Sequence, residues 1–232
     1  MSFFDRSPLE YCSGPQPRHT LVWLHGLGAD GYDFADLLQP LADSRAEPIR
    51  FIFPHAPIRP VTLNGGTLMP AWFDLYGTTP EDPQDQAGLG HAAAAITELI
   101  EQEHRRGIAP HRVVLGGFSQ GGALALHVGL TGPKRLAALV AWSTYLPLAG
   151  SFPLSCRNPQ TPLFMAHGTE DMMVPFSFGV RSRDLIKAAG GEPFFKSYQT
   201  GHNVTEEEMD DLRGFLAPIL QEPALGEQGT NG

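Results

Sequence analysis

The residues best placed to do chemistry begin with Gly117-Phe118-Ser119-Gln120-Gly121, a G-x-S-x-G pentad between an apolar run and an amphipathic one. Where a strand turns sharply into a helix, this pattern holds the serine hydroxyl proud of the sheet, and the flanking glycines permit close backbone approach. The chemistry offered is nucleophilic attack on a carbonyl carbon. The first amides of the following helix add partial positive charge where an oxyanion would form. Without its flanking elements the pentad is a weak signal, because Gly117 and Gly121 could equally serve tight packing alone.

A neutral hydroxyl is a poor nucleophile and needs a base within hydrogen-bond reach, oriented in turn by an acid. Two downstream loops offer them: His167-Gly168-Thr169-Glu170-Asp171 and Thr200-Gly201-His202-Asn203. Of nine histidines, only His167 and His202 follow the helix after Ser119, and only His202 stands on the last strand-to-helix loop. His167 lies too close to the acid loop to be the base and is expected to bond local backbone. For the acid, Asp171 competes with Glu170; adjacency lets only one of them face His202, and spacing does not choose.

An oxyanion also needs two amide donors. One comes from the residue after the nucleophile, Gln120. The other is expected from an early strand-to-helix loop, here Leu24-His25-Gly26-Leu27-Gly28, with Leu27 N–H as donor. The stretch Gly26 to Gly31 also fits G-x-G-x-x-G, a dinucleotide fingerprint. Against that reading, Arg50 and Phe51 stand where the ribose-binding acid belongs, and no Gly-Lys-Ser/Thr ending marks a phosphate loop.

The elements that must position these groups read as alternating strands and helices. Strands are expected at Thr20–Leu24, Ile49–Phe53, Arg112–Leu115, Ala138–Trp142, Pro162–Ala166 and Phe194–Tyr198. Most are continuous apolar runs, as in strands covered on both faces. Helices are expected near Tyr32–Ala42, Ala87–Arg106, Gly121–Leu130, Phe178–Ala189 and Glu206–Leu220. The last carries a Thr205/Glu208 capping box and an apolar stripe through Met209, Leu212, Phe215, Leu216 and Ile219. This is an α/β pattern, a mostly parallel central sheet with helices on both faces. Residues 1–221 are expected to form one domain. The Pro- and Gly-rich segment 54–83, too apolar for a solvated linker, is expected to cover one end of the sheet, and 222–232 to be a disordered tail.

Composition narrows the functional classes. A net charge of −9 disfavours nucleic acid and anionic lipid as partners. Two cysteines, Cys12 and Cys156, without CxxC or metal-ligand spacing, point to free thiols and a cytoplasmic setting. No segment reaches the roughly 18 apolar residues that span a bilayer, so stable membrane insertion is not expected.

The separated pieces LHGLGADG (24–31), PHAPIRPVTLNGG (54–66), MPAWFDLYG (69–77), GGFSQGGALALH (116–127), STYLPL (143–148), HGTEDMMVP (167–175) and GHNV (201–204) together resemble the phospholipase/carboxylesterase family, which includes acyl-protein thioesterases. The Asn-Gly-Gly and Trp-Phe-Asp pieces look most like its bacterial carboxylesterase branch. The resemblance implies an α/β-hydrolase fold with no large cap domain, Asp171 as the acid, and Leu27 and Gln120 as oxyanion donors. It also implies that Trp72 lines the acyl pocket beside Leu63, Tyr145 and Met173. A serine carboxylesterase acting on short- to medium-chain small-molecule esters is the first expectation. An acyl-protein (palmitoyl) thioesterase or lysophospholipase is the alternative, and a silent binding module a distant third. Neither metal nor organic cofactor is implied. Some relatives form dimers, which leaves a homodimer open.

Overall fold

The computed structural model describes residues 3–41, 47–79 and 82–221. The main sheet comprises β1 (Leu9–Cys12), β2 (His19–Leu24), β3 (Ile49–Phe53), β6 (Val113–Phe118), β7 (Ala138–Trp142), β8 (Leu163–Gly168) and β9 (Phe194–Tyr198). A separate hairpin is formed by β4 (Ile58–Val61) and β5 (Thr67–Pro70). The order across the sheet is β1-β3-β2-β6-β7-β8-β9, with β1 antiparallel to β3 and every other pair parallel. Every residue of β2, β7 and β8 is buried, as two covered faces require.

The helices are α1 (Ala35–Leu38), α2 (Gln86–Arg105), α3 (Gln120–Thr131), α4 (Phe152–Ser155), α5 (Phe176–Ala188) and α6 (Glu206–Leu220). Alternation along β2 sorts them between faces. Val22 and Leu24 pack into a core with Leu89, Ile96 and Leu99 of α2, Leu124 and Leu126 of α3 and Ile186 of α5. Leu21 and Trp23 face the other core, with Leu38 of α1 and Met209, Leu212 and Leu216 of α6. Both halves of the Thr205/Glu208 capping box form at the start of α6.

Five elements differ from the sequence reading. Strand β1 was not expected, because four residues with alternating exposure give little pattern. The segment 54–83, read as a loop, contains the β4–β5 hairpin, in which Pro60 stands opposite Leu68. Two strands form no central ladder, so the prolines that hid the hairpin are tolerated there. Helix α1 is short and passes into a 3₁₀ turn at Gln39–Leu41, since Pro40 has no N–H to continue an α-helix. The remaining residue of that expected helix, Ala42, and the tail 222–232 lie outside the described residues. Helix α4 is an addition to the expected set.

The parallel arrangement is what matters for chemistry. β2, β6, β8 and β9 all run the same way, so the loops after Leu24, Phe118, Gly168 and Tyr198 emerge at one edge of the sheet. Those loops carry Leu27, Ser119, Asp171 and His202. Open α/β sheets place their ligands outside the carboxyl ends of the strands.

Candidate active site

Ser119 stands between β6 and α3 with φ 55° and ψ −121°, a left-handed conformation rare for a residue with a side chain. Such a residue costs about 1–3 kcal/mol and persists where its surroundings hold it. Its N–H donates to Trp142 O at 2.9 Å, and its carbonyl accepts from Ala123 N at 3.0 Å and from the Thr144 hydroxyl at 2.7 Å. The glycines are sterically required: a Cβ on Gly117 would lie 2.5 Å from Gly121 C, and one on Gly121 would lie 2.1 Å from Leu24 O.

Asp171 and His202 meet. His202 Nδ1–H donates to Asp171 Oδ2 at 2.7 Å, while Asp171 Oδ1 accepts from Met173 N at 2.9 Å and Val174 N at 2.8 Å. The carboxylate is buried, whereas the neighbouring Glu170 is exposed, so it is Asp171 that stands against the imidazole. Binding the proton at Nδ1 leaves Nε2 as the acceptor. The Phe118 ring packs on the same imidazole with centroids 4.6 Å apart. His167 bonds local backbone, its Nε2–H donating to Val174 O at 2.8 Å, and burial lowers its pKa.

The two amides named for oxyanion binding, Leu27 N–H and Gln120 N–H, donate to no carbonyl among the described residues. Around them the backbone is tied down. His25 Nε2 accepts from Ala56 N–H at 3.0 Å, which places the ring proton on Nδ1, and Nδ1–H donates to Gly26 O at 2.7 Å. Burial holds His25 at a pKa of about 4, so the ring is neutral at pH 7. The Gln120 side chain accepts from Trp72 N–H at 3.0 Å and donates to Phe73 O at 2.8 Å.

A cavity of about 440 Å³ opens over these groups. Ser119, Gln120, Leu27 and His202 line it, together with Leu63, Tyr145 and Met173. Asp171 lies behind His202. Burial pushes the Tyr145 hydroxyl up to about 12, so it stays a neutral hydrogen-bonding group. Trp72 departs from expectation: it is completely buried, and it is not part of the cavity lining. Its indole Nε1–H donates to His25 O at 2.8 Å, a bond that turns the ring into the protein interior.

Met69, Leu75, Val174 and Phe178 line the cavity without having been singled out from sequence. Met69 and Leu75 stood in the apolar 54–83 segment and were legible as a group. Thr144, bonded to the Ser119 carbonyl, stood in the STYLPL piece (143–148) with no role assigned to it from sequence. A second, open hollow of about 570 Å³ along α5 is lined by Phe176, Val180 and Leu185 among others and contains none of these chemical groups. Among the described residues, no group of three or more His, Cys, Asp or Glu is placed to hold a metal ion. No helix among them is long and apolar enough to cross a membrane.

A nucleophile elbow, an imidazole–carboxylate pair and a parallel sheet that brings them to one edge define a serine hydrolase of the α/β-hydrolase class. A family model described as Phospholipase/Carboxylesterase matches residues 11–220. The chain belongs to that family. It is 36% identical to an acyl-protein thioesterase 1 of Neurospora crassa, over 96% of each chain. Among solved structures, it resembles Arabidopsis thaliana SOBER1 with a TM-score of 0.82 and 32% identity, over 88% of this chain and 99% of that one. Zea mays acyl-protein thioesterase 2 follows with a TM-score of 0.76 and 31% identity, over 91% and 99%. These relatives are fungal and plant proteins and lend no support to a bacterial branch.

Proposed function

We propose that this hydrolase cleaves long-chain S-acyl thioesters, with Ser119 as nucleophile, His202 as base, Asp171 as its orienting acid and the Leu27 and Gln120 amides as oxyanion donors. The observation that carries the reading is the cavity over Ser119, whose wall includes Leu63, Met69, Leu75, Met173 and Phe178. Its size falls within the roughly 300–1,000 Å³ of pockets that bury most of a ligand's surface. Met173 is 74% exposed at the mouth, positioned to cover an apolar chain as it enters. The names of the relatives favour the thioesterase alternative over a short-chain carboxylesterase.

With these roles the reaction runs in two stages. Ser119 Oγ attacks the thioester carbonyl carbon as its proton passes to His202 Nε2, and the C–S bond breaks with that proton delivered to the leaving thiolate. Water then attacks the acyl-enzyme through the same imidazole, releasing the carboxylic acid and restoring the hydroxyl. A cytoplasmic setting belongs to the same proposal, supported by free thiols at Cys12 and Cys156. The continuous seven-stranded sheet, with β1 and β9 at its two edges, likewise supports reading residues 1–221 as one domain, with segment 54–83 over the site.

The test is an acyl-length series of thioesters and p-nitrophenyl esters. Rising kcat/KM toward palmitoyl thioester is the expected result, with Ser119→Ala inactive and still folded by circular dichroism. A sharp optimum at two to six carbons on oxygen esters would return the reading to a carboxylesterase. Turnover by Ser119→Ala would reject the site.

A further inference from the structure

The two oxyanion amides come from segments far apart in the chain, and only one of them is held by regular structure. Gln120 begins α3, whereas Leu27 lies in a turn between β2 and α1. Oxyanion stabilisation depends on both donors meeting the same oxygen at about 2.7–3.1 Å, so something must fix the distance between them.

The four residues Pro70 to Phe73 bond to both sides. On the Leu27 side, Pro70 O accepts from Gly28 N–H at 2.9 Å, and Trp72 Nε1–H donates to His25 O at 2.8 Å. On the Gln120 side, Trp72 N–H donates to Gln120 Oε1 at 3.0 Å, and Phe73 O accepts from Gln120 Nε2 at 2.8 Å. Of these four, Trp72 is therefore the residue whose main chain bonds one donor segment while its side chain bonds the other. The ring packs against the His25 imidazole with centroids 5.0 Å apart, and all three of Trp72, His25 and Gln120 are at most 3% exposed. Behind them, the His25 carbonyl abuts α3, where a Cβ on Gly121 would lie 2.5 Å from it.

We infer that Trp72 is a positioning residue that sets the spacing of the Leu27 and Gln120 amides, through its indole bond to His25 O and its main-chain bond to Gln120. The inference rests on the serine-hydrolase reading above. It assigns Trp72 a part in transition-state stabilisation and none in holding the acyl chain. Loss of the indole donor frees the His25–Gly28 turn to shift against α3, and a displacement near 1 Å from ideal geometry costs on the order of 100-fold in rate.

The experiment replaces the indole donor alone, by introducing 3-benzothienylalanine at position 72, with Trp72→Phe as the second variant should the first fold poorly. The expected result is a fall in kcat of about 10- to 100-fold with KM within about twofold of wild type. Affinity for an acyl trifluoromethyl ketone, which forms an oxyanion on Ser119, falls by the same factor. Affinity for the unreactive alcohol of equal chain length stays constant. A raised KM with unchanged kcat would return Trp72 to the pocket wall, and unchanged kcat and ketone affinity would also overturn the inference. Failure of the hydrolase reading is distinguishable, because turnover would then survive Ser119→Ala whatever stands at position 72.

Discussion

Replacing Asp171 by asparagine keeps the shape of the side chain and changes the role of one atom. In the native site both carboxylate oxygens accept: Oδ1 from the Met173 and Val174 amides at 2.9 and 2.8 Å, Oδ2 from His202 Nδ1–H at 2.7 Å. An amide must place its NH₂ on one side or the other. Facing the two backbone donors, it would lose both of their bonds at about 0.5–1.5 kcal/mol each, and would oppose donor to donor. The asparagine therefore keeps its oxygen on the backbone and turns its NH₂ toward His202. Nδ1 must then accept, the ring proton moves to Nε2, and that nitrogen can no longer take a proton from the nucleophile proposed above. A carboxylate-to-amide change of this kind in serine proteases lowers kcat about 10⁴-fold, or about 5 kcal/mol of barrier. The assay is kcat on a p-nitrophenyl ester near pH 8 with near-ultraviolet circular dichroism as the check on folding. The matched control is Glu170→Gln, expected to stay within about threefold because that side chain is exposed. A loss smaller than tenfold in Asp171→Asn, or a comparable loss in Glu170→Gln, would refute the assignment of acid and tautomer.

Two further outcomes follow from packing and protonation. Gly121→Ala places a methyl 2.1 Å from Leu24 O and 2.5 Å from His25 O, both main-chain atoms. Overpacking of this sort costs about 1–3 kcal/mol, and a chain of this size loses about 2–4 °C of Tm per kcal/mol. Thermal unfolding should drop by several degrees, and an unchanged Tm would contradict the close approach. Burial holds His25 at about 4 against an ordinary 6.5, and likewise holds His19 at about 4. Between pH 6.5 and 4 the unfolded chain binds protons that the native state refuses, so these groups stabilise fully above pH 6.5 and lose their contribution as pH falls toward 4. Each imidazole contributes a slope of at most about 1.36 kcal/mol per pH unit across that window. Urea unfolding at pH 7.5, 6 and 5 should show falling stability; equal or greater stability at pH 5 would show that the rings are not held neutral.

Local rules carried much of the site. The turn at Ser119 was legible because its determinants are sequential: an apolar strand, a glycine two residues to either side, and a helix that starts at the next residue. His202 was legible by chain order, as the histidine on the last strand-to-helix loop. Short runs rich in β-branched or aromatic residues likewise marked β7 and β9 to the residue, and the capping box with its apolar stripe marked α6. The β4–β5 hairpin was hidden because Pro60 and Pro70 read as breakers when the partner strand is not in view.

What only the tertiary structure decided depends on direction. Asp171 and Glu170 are neighbours of equal charge, and the Met173 and Val174 amides together with His202 select between them. Trp72 sat in a covering segment with other apolar residues and was expected to line the cavity. Its indole turns inward because His25 O, distant in sequence, offers a buried acceptor that a ring in the cavity wall would leave unpaired. Residue types and their order along the chain determine which chemistry is available and where each element begins. Which face a side chain presents is set by hydrogen bonds between segments far apart in sequence, and those exist only once the sheet has brought the segments together.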